Sequence, residues 1–106
     1  MKKMHEITLC LYPNYEGYIR LSSHAKKQLK ARGYTVQDVV ECLLTGEIVE
    51  IRRGFNRKLH RICPNYAIEG KDIDHHPIVV VLSEEERGFS VITVMLPTDK
   101  RFRSAL

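Results

Sequence analysis

Residues 34–50 decide the fold, and their sequence is YTVQDVVECLLTGEIVE. Thr35 and Asp38 have the spacing of a capping box, in which each side chain bonds the backbone N–H of the other residue. Apolar residues then recur at the spacing of one helix face, at positions 36, 39, 40, 43 and 44. After Gly46 the spacing becomes two, which is typical of a β-strand. The stretch therefore predicts a helix that leads directly into a sheet.

A shorter helix is predicted over residues 22–32, on the N-terminal side of this stretch. Ser22 or Ser23 provides a side-chain oxygen for the unpaired N–H groups of the first turn. Gly33 suits the left-handed conformation that ends many helices. Farther upstream, apolar and polar residues alternate over residues 5–12, which predicts a half-buried strand.

The period of two continues along the rest of the chain. It predicts strands at Glu47–Arg52, Lys58–Ile62, Tyr66–Glu69, Pro77–Leu82 and Phe89–Leu96. The loops between them are too short for parallel crossovers, so we expect mostly antiparallel pairing. The expected fold class is α+β: an N-terminal strand and a two-helix hairpin packed on a mostly antiparallel sheet of four or five strands.

The composition fits one domain spanning residues 1–106. A content of 43% hydrophobic and 28% charged residues excludes disordered and fibrous chains. Three cysteines without a C-x-x-C pair argue against a zinc ribbon or a disulfide framework. No segment has the character of a signal peptide or a membrane span, so we expect a cytoplasmic protein without a membrane partner. The formal charge of +4 favours encounter with polyanions such as RNA.

Several short motifs follow one another along the helical hairpin. They are Ser22-Ser23-His24-Ala25, Leu29, Arg32-Gly33-Tyr34-Thr35, Asp38-Val39 and Gly46-Glu47-Ile48-Val49-Glu50. This order resembles the domain of unknown function 4258 family (DUF4258), in which an arginine is frequent where this chain has Gln28. The resemblance covers about residues 21–96 and leaves an N-terminal strand extension at 1–20 and a basic tail at 97–106.

That family is similar to BrnT-like and RelE-like toxins of bacterial toxin–antitoxin systems, which are small basic α+β domains that cleave RNA without a metal. The resemblance implies a toxin-type endoribonuclease that works by attack of the RNA 2′-hydroxyl and needs no cofactor. It also implies two partners: RNA, free or on the ribosome, and a cognate antitoxin protein.

Metal-free RNA cleavage needs an acid or base and cations around the phosphorane. Histidine suits proton transfer near neutral pH, and the planar fork of arginine binds two phosphate oxygens. His24 is therefore the predicted acid or base, and Arg32 and Arg61 are predicted to stabilise the phosphorane. The alternatives are structural: His24 packs at the start of a helix, and Arg32 offsets the negative end of that helix.

The densest positive charge lies at residues 52–61, whose sequence is RRGFNRKLHR. Such a hairpin can follow a phosphate backbone while Phe55 stacks on a base. The predicted RNA-binding residues are Arg52, Arg53, Phe55, Arg57, Lys58 and His60, together with Lys100, Arg101 and Arg103 of the tail. The alternative is a solvated hairpin whose charges block aggregation, followed by a tail that only aids solubility.

Two rivals to the ribonuclease hypothesis stay open. One is a non-catalytic basic module that binds RNA or a protein partner through the same surface. The other is an accessory protein whose charge only keeps it soluble. A metal site at His75 and His76 is not predicted, because adjacent histidines on a strand point to opposite faces.

Overall fold

The computed structural model describes residues 2–56 and 60–97, with only the backbone of Lys2 and Asn56. The elements are α1 (Lys2–Leu9), β1 (Tyr18–Leu21), α2 (Ser23–Arg32), α3 (Val36–Thr45), β2 (Glu47–Asn56), β3 (Arg61–Lys71), β4 (Pro77–Glu84) and β5 (Gly88–Met95). The strands form one sheet in the order β1-β5-β4-β3-β2. Only β1 and β5 pair in parallel; the other neighbours are antiparallel. The α+β class and the mostly antiparallel sheet are confirmed.

The two-helix hairpin forms where the sequence predicts it. The Ser22 hydroxyl accepts a hydrogen bond from the N–H of Ala25, and Gly33 ends α2 with a φ of 75°. Thr35 and Asp38 make both bonds of the capping box that begins α3. The buried stripe of α3 is narrower than predicted, because Val36 and Leu44 are exposed. Among the described residues, no helix is both long enough and apolar enough to cross a bilayer.

The strand predicted over residues 5–12 is wrong, because Lys2–Leu9 form helix α1. Ile7 is fully buried in the core, and Met4 and Leu11 pack against it. These three positions fit helical spacing as well as the alternating pattern fits a strand. Packing on the sheet decides between the two periods. The strand of this region is instead β1, which the sequence analysis did not predict.

The β2–β3 hairpin is longer than predicted. β2 continues through Gly54 to Asn56, and β3 joins the predicted strand Tyr66–Glu69 to Arg61 and Ile62, the end of the predicted strand Lys58–Ile62. His60 is in a turn, and Lys58 and Leu59 lie outside the described residues. The predicted break at Pro64 is wrong. A proline is tolerated there because the pairing of β3 with β4 begins only at the next residue.

The sheet has a buried cluster on each face. The helices cover one face, where Leu43, Ile68, Leu82 and Val91 are among the core residues. A smaller cluster of Ala67, Val79, Val81 and Met95 lies on the other face. The stretch Val79–Leu82 is therefore buried on both faces, as is typical of an uninterrupted apolar run in a central strand.

Candidate functional site

The basic hairpin projects beyond the sheet as a two-stranded ribbon. Arg53 pairs with Pro64 and Asn56 pairs with Arg61, whereas the pairing of β3 with β4 reaches only Asn65. The ribbon therefore extends past β4 by about 13 Å, at about 3.3 Å per residue. We call residues 53–56 and 60–64 the arm.

One face of the arm carries exposed apolar side chains and an arginine. Phe55 lies directly opposite Ile62, and Arg53 lies two residues before Phe55 on the same face. This face is continuous with that of Tyr66 and its partner Ile51, next to the helices. Phe55 is 60% exposed, Ile62 55% and Ile51 53%. An aromatic ring thus stands in solvent beside a guanidinium group.

The opposite face of the ribbon is more polar. Arg52 lies there across from Asn65, and it forms an ion pair with Glu50 at 3.2 Å. Arg61 is exposed near the tip. His60 at the tip is also exposed, and its φ of 52° is uncommon for a residue with a Cβ atom.

The structure describes only part of the predicted RNA-binding set. Arg52, Arg53, Phe55 and His60 are brought together on the arm and the adjoining part of β2. The remaining predicted residues, Arg57, Lys58, Lys100, Arg101 and Arg103, lie outside the described residues.

The three predicted catalytic residues do not converge. His24 is exposed on the first turn of α2, and Arg32 is its last residue, about 12 Å farther along the helix axis. α2 packs on β5 and β1, whereas Arg61 lies on β3, two strands away from β5. Arg61 is also five residues, or about 16 Å, beyond Tyr66 toward the arm tip. The catalytic assignment stays a prediction.

The family model of the domain of unknown function DUF4258 matches residues 21–96. The chain belongs to this family. The DUF4258 segment comprises α2, α3 and β2 to β5, so α1 and most of β1 lie outside it. No curated protein and no solved structure matches the chain.

Helix α1, outside the DUF4258 segment, holds the base of the arm. The Tyr66 hydroxyl donates to Oε1 of Glu84 at 2.9 Å, and Lys3 Nζ donates to the same oxygen at 2.8 Å. Lys3 also lies 5.8 Å from the centroid of the Tyr66 ring. Burial, together with the bond to Glu84, raises the pKa of Tyr66 to about 12. Tyr66 is therefore neutral near neutral pH, and its hydroxyl is held by Glu84 at the base of the arm.

A second polar cluster ties β1 to the turn between β4 and β5. The Glu85 side chain is 2% exposed and accepts hydrogen bonds from Arg20 Nε at 3.0 Å, Arg20 Nη2 at 2.6 Å and the Tyr18 hydroxyl at 2.8 Å. The bond to Glu85 is the main reason that the pKa of Tyr18 is raised. Sequence reasoning missed this cluster, since its members are more than 60 residues apart.

A cavity of about 580 Å³ opens beside these clusters, between α1, the loop before β1 and the β4–β5 turn. Its charged lining residues are Lys3, Arg87 and the glutamates Glu6, Glu16, Glu84, Glu85 and Glu86. The excess of carboxylates gives this cavity the wrong charge for a phosphate backbone. The arm, in contrast, exposes the positively charged side chains of Arg53 and Arg61.

The described residues contain one group with metal-ligand spacing, formed by Asp72, Asp74 and His76. The Asp72 Oδ1 atom already accepts hydrogen bonds from the backbone N–H groups of Asp74 and His76, both at 2.9 Å. His75 adopts a φ of 64° in the same turn. The Asp72 carboxylate thus has a structural role in closing the β3–β4 turn.

Proposed function

We propose that this DUF4258 protein binds single-stranded RNA through its arm. The observation that carries the proposal is Phe55, which is 60% exposed beside Arg53 on a projecting ribbon. An exposed ring offers a stacking platform for any base, and an adjacent guanidinium offers a bidentate contact for a phosphate.

Charge supports this assignment of the surface. Residues 51–62 contain five arginines and lysines and no acidic residue. Five glutamates instead line the cavity at the β4–β5 turn, and Glu50, next to the arm, is paired with Arg52. A polyanion is therefore attracted toward the arm, with a strong dependence on salt.

Anisotropy of a fluorescently labelled single-stranded RNA tests the proposal. Loss of one stacked base costs about 1–3 kcal/mol, so Phe55→Ala should weaken binding by about 5- to 150-fold, whereas Phe55→Trp should retain it. Arg53→Ala should weaken binding and flatten the salt dependence by about one charge. Tyr12→Ala is the matched control, because Tyr12 is equally exposed, at 60%, but lies before β1. Equal affinities of Phe55→Ala and Tyr12→Ala would refute the proposal.

A toxin-type, metal-independent endoribonuclease is the second candidate function, with ribosome-bound or free RNA as substrate and a cognate antitoxin as partner in the cytoplasm. The observation in its favour is His24, whose exposed side chain on the first turn of α2 is accessible to RNA. The separation of His24 from Arg61 counts against the full predicted catalytic set. This candidate rests on the resemblance to BrnT-like and RelE-like toxins inferred from the sequence motifs.

Mapping of RNA ends after brief induction in bacteria separates cleavage from binding. If His24 is an acid or base, His24→Ala should reduce the new ends at least about 100-fold and leave RNA affinity unchanged. The matched control is His5→Ala, since His5 is an exposed histidine on α1. An RNA profile that is the same with and without induction would leave only the binding function.

A further inference from the structure

The outer edge of the sheet at β2 has features of a docking site for another strand. β2 is ten residues long and ends the strand order, so no strand among the described residues pairs with its outer side. A bulge lies between Ile48 and Glu50, after which the pairing with β3 is regular as far as Asn56. Natural proteins usually protect such an edge with a short strand, a proline, a bulge or charged side chains. β2 is long and has no proline, its bulge lies near one end, and its charges are of both signs, so the stretch from Glu50 to Asn56 keeps a regular open edge.

Apolar side chains along this edge are also exposed to solvent. Ile51 and Phe55 lie on the face next to the helices and are 53% and 60% exposed, with Arg53 between them. Val49, at the bulge, is 46% exposed. A two-stranded ribbon is at best marginally stable without further packing. A third strand along β2 would bury Ile51 and Phe55 and complete the backbone hydrogen bonds of the edge.

We propose that β2 binds an extended segment of a partner protein as a sixth strand, with apolar side chains opposite Ile51 and Phe55 and an acidic side chain opposite Arg53. Backbone hydrogen bonds would supply affinity, and the alternating side chains would supply specificity. Strand binding itself does not depend on the proposed function. Only its consequence does, namely that the added strand covers Phe55 and excludes RNA.

Charge favours an acidic partner over a second copy of this chain along the arm. Residues 51–62 contain five arginines and lysines and no acidic residue, so a second copy paired with Arg53 opposite Arg53 would be repelled. A second copy paired in another register, with Glu50 opposite Arg52, is the dimer outcome of the test below. An acidic residue opposite Arg53 instead forms a favourable cross-strand pair. RNA has no N–H and C=O groups in strand register, so it cannot complete the edge.

A cyclic β-hairpin peptide is a suitable probe, because cyclisation removes much of the entropic cost of ordering a strand. Its outer strand has the sequence Thr-Val-Thr-Glu-Thr-Val-Thr, and the matched control has Lys in place of Glu. Both peptides are titrated into the ¹⁵N-labelled full chain without RNA, and amide shifts and hydrogen exchange are recorded.

The Glu peptide should shift the amides of β2 and slow the exchange of alternate β2 N–H groups, which only strand pairing does. It should bind at least about 10-fold more tightly than the Lys peptide, and Arg53→Glu should reverse this preference. Absence of β2 shifts at about 1 mM peptide, or equal affinity for both peptides, would overturn the proposal. Sedimentation of the chain alone as a dimer with protected β2 amides would assign the edge to a second copy and also overturn it.

The two proposals fail separately. If no arm variant weakens RNA binding, the RNA surface is refuted. The peptide titration is unaffected by that result, since it contains no RNA. If both proposals hold, the Glu peptide should displace the labelled RNA from the wild-type chain, and the Lys peptide should not.

Discussion

The Gln28 side chain accepts a hydrogen bond from a backbone N–H of β5 that is paired with no strand among the described residues. β1 pairs with β5 only as far as Val91, so Val94 lies on an open edge of the sheet. α2 lies along this edge, and Gln28 Oε1 accepts hydrogen bonds from the Val94 N–H at 2.8 Å and from the Thr93 hydroxyl. Val94 is fully buried, so water cannot replace the missing strand.

Loss of this acceptor should destabilise the fold. A buried N–H left without a partner costs about 1–3 kcal/mol, and the lost bond to Thr93 adds about 1 kcal/mol. We therefore expect Gln28→Leu to cost about 3 kcal/mol, which lowers the Tm of a domain of this size by about 10 °C or more. Gln28→Arg, which introduces the residue expected from the family resemblance, should cost at least as much, because a guanidinium group has donors only.

Urea and thermal unfolding of these variants check the reasoning. Gln28→Glu keeps an acceptor oxygen at the same position and should retain most of the stability. Lys27→Leu, on the exposed part of the same helix, controls for the change in polarity. A Gln28→Arg protein as stable as the wild type, or a Gln28→Glu protein as unstable as Gln28→Leu, would refute the assigned role of the acceptor.

Two further predictions concern buried carboxylates. Arg20→Ala should lower the free energy of unfolding in urea by about 3–5 kcal/mol, because it leaves the buried Glu85 carboxylate without its charge partner. Glu85→Ala should cost less, because Arg20 is 37% exposed and its guanidinium can turn to water. The reverse order would contradict this reasoning. Burial of the Asp38 carboxylate opposes ionisation, but hydrogen bonds from the N–H groups of Thr35 and Ile73 outweigh it and lower the pKa below the ordinary 3.8. Because the folded-state pKa is lowered, the ionised carboxylate stabilises the fold above the ordinary pKa, and this stabilisation is lost as the pH falls through the folded-state pKa. The difference in free energy of unfolding between wild type and Asp38→Asn should therefore be constant above about pH 5 and become smaller below about pH 4. A difference that becomes larger in acid would refute this role of Asp38.

The helical hairpin was predictable because bonds between near neighbours determine it. The Ser22–Ala25 bond and the Thr35–Asp38 pair each join residues three apart, and Gly33 acts through its own backbone. Such interactions exist in the sequence before any tertiary contact forms. The uninterrupted apolar run Val79–Leu82 was also readable from the sequence, because a strand buried on both faces has no polar face.

The N-terminal region was not predictable, because its apolar residues fit two periods and its partners are remote. Lys3 pairs with Glu84 from 81 positions away, and Arg20 pairs with Glu85 from 65 positions away. No local pattern marks either pair. Only the assembled sheet, which brings the β4–β5 turn beside α1 and β1, creates these contacts.

The prediction of His24 and Arg32 as a catalytic pair rests on their angle around the helix axis, which ignores the distance along that axis. His24 and Arg32 are eight residues apart, which gives an offset of only about 80° around the axis but also about 12 Å along it. Angular proximity favours a common face, and the axial distance places the two side chains at opposite ends of α2. In the arm, in contrast, strand pairing sets which residue of β3 lies opposite each residue of β2, and so places the exposed ring and the cations. Pairing therefore defines the arm more closely than α2 defines the predicted catalytic set, which is why we propose binding ahead of cleavage.

Residues outside the DUF4258 segment also contact the base of the arm. Tyr66 lies at the base of the arm opposite Ile51, and its hydroxyl and Lys3 Nζ both donate to Glu84. Lys3 of α1 also lies against the Tyr66 ring. Strand pairing within the DUF4258 segment positions the arm, and α1 adds these polar contacts to its base. A fold shared by a family does not fix what a surface binds, so the RNA proposal rests on the side chains of the arm.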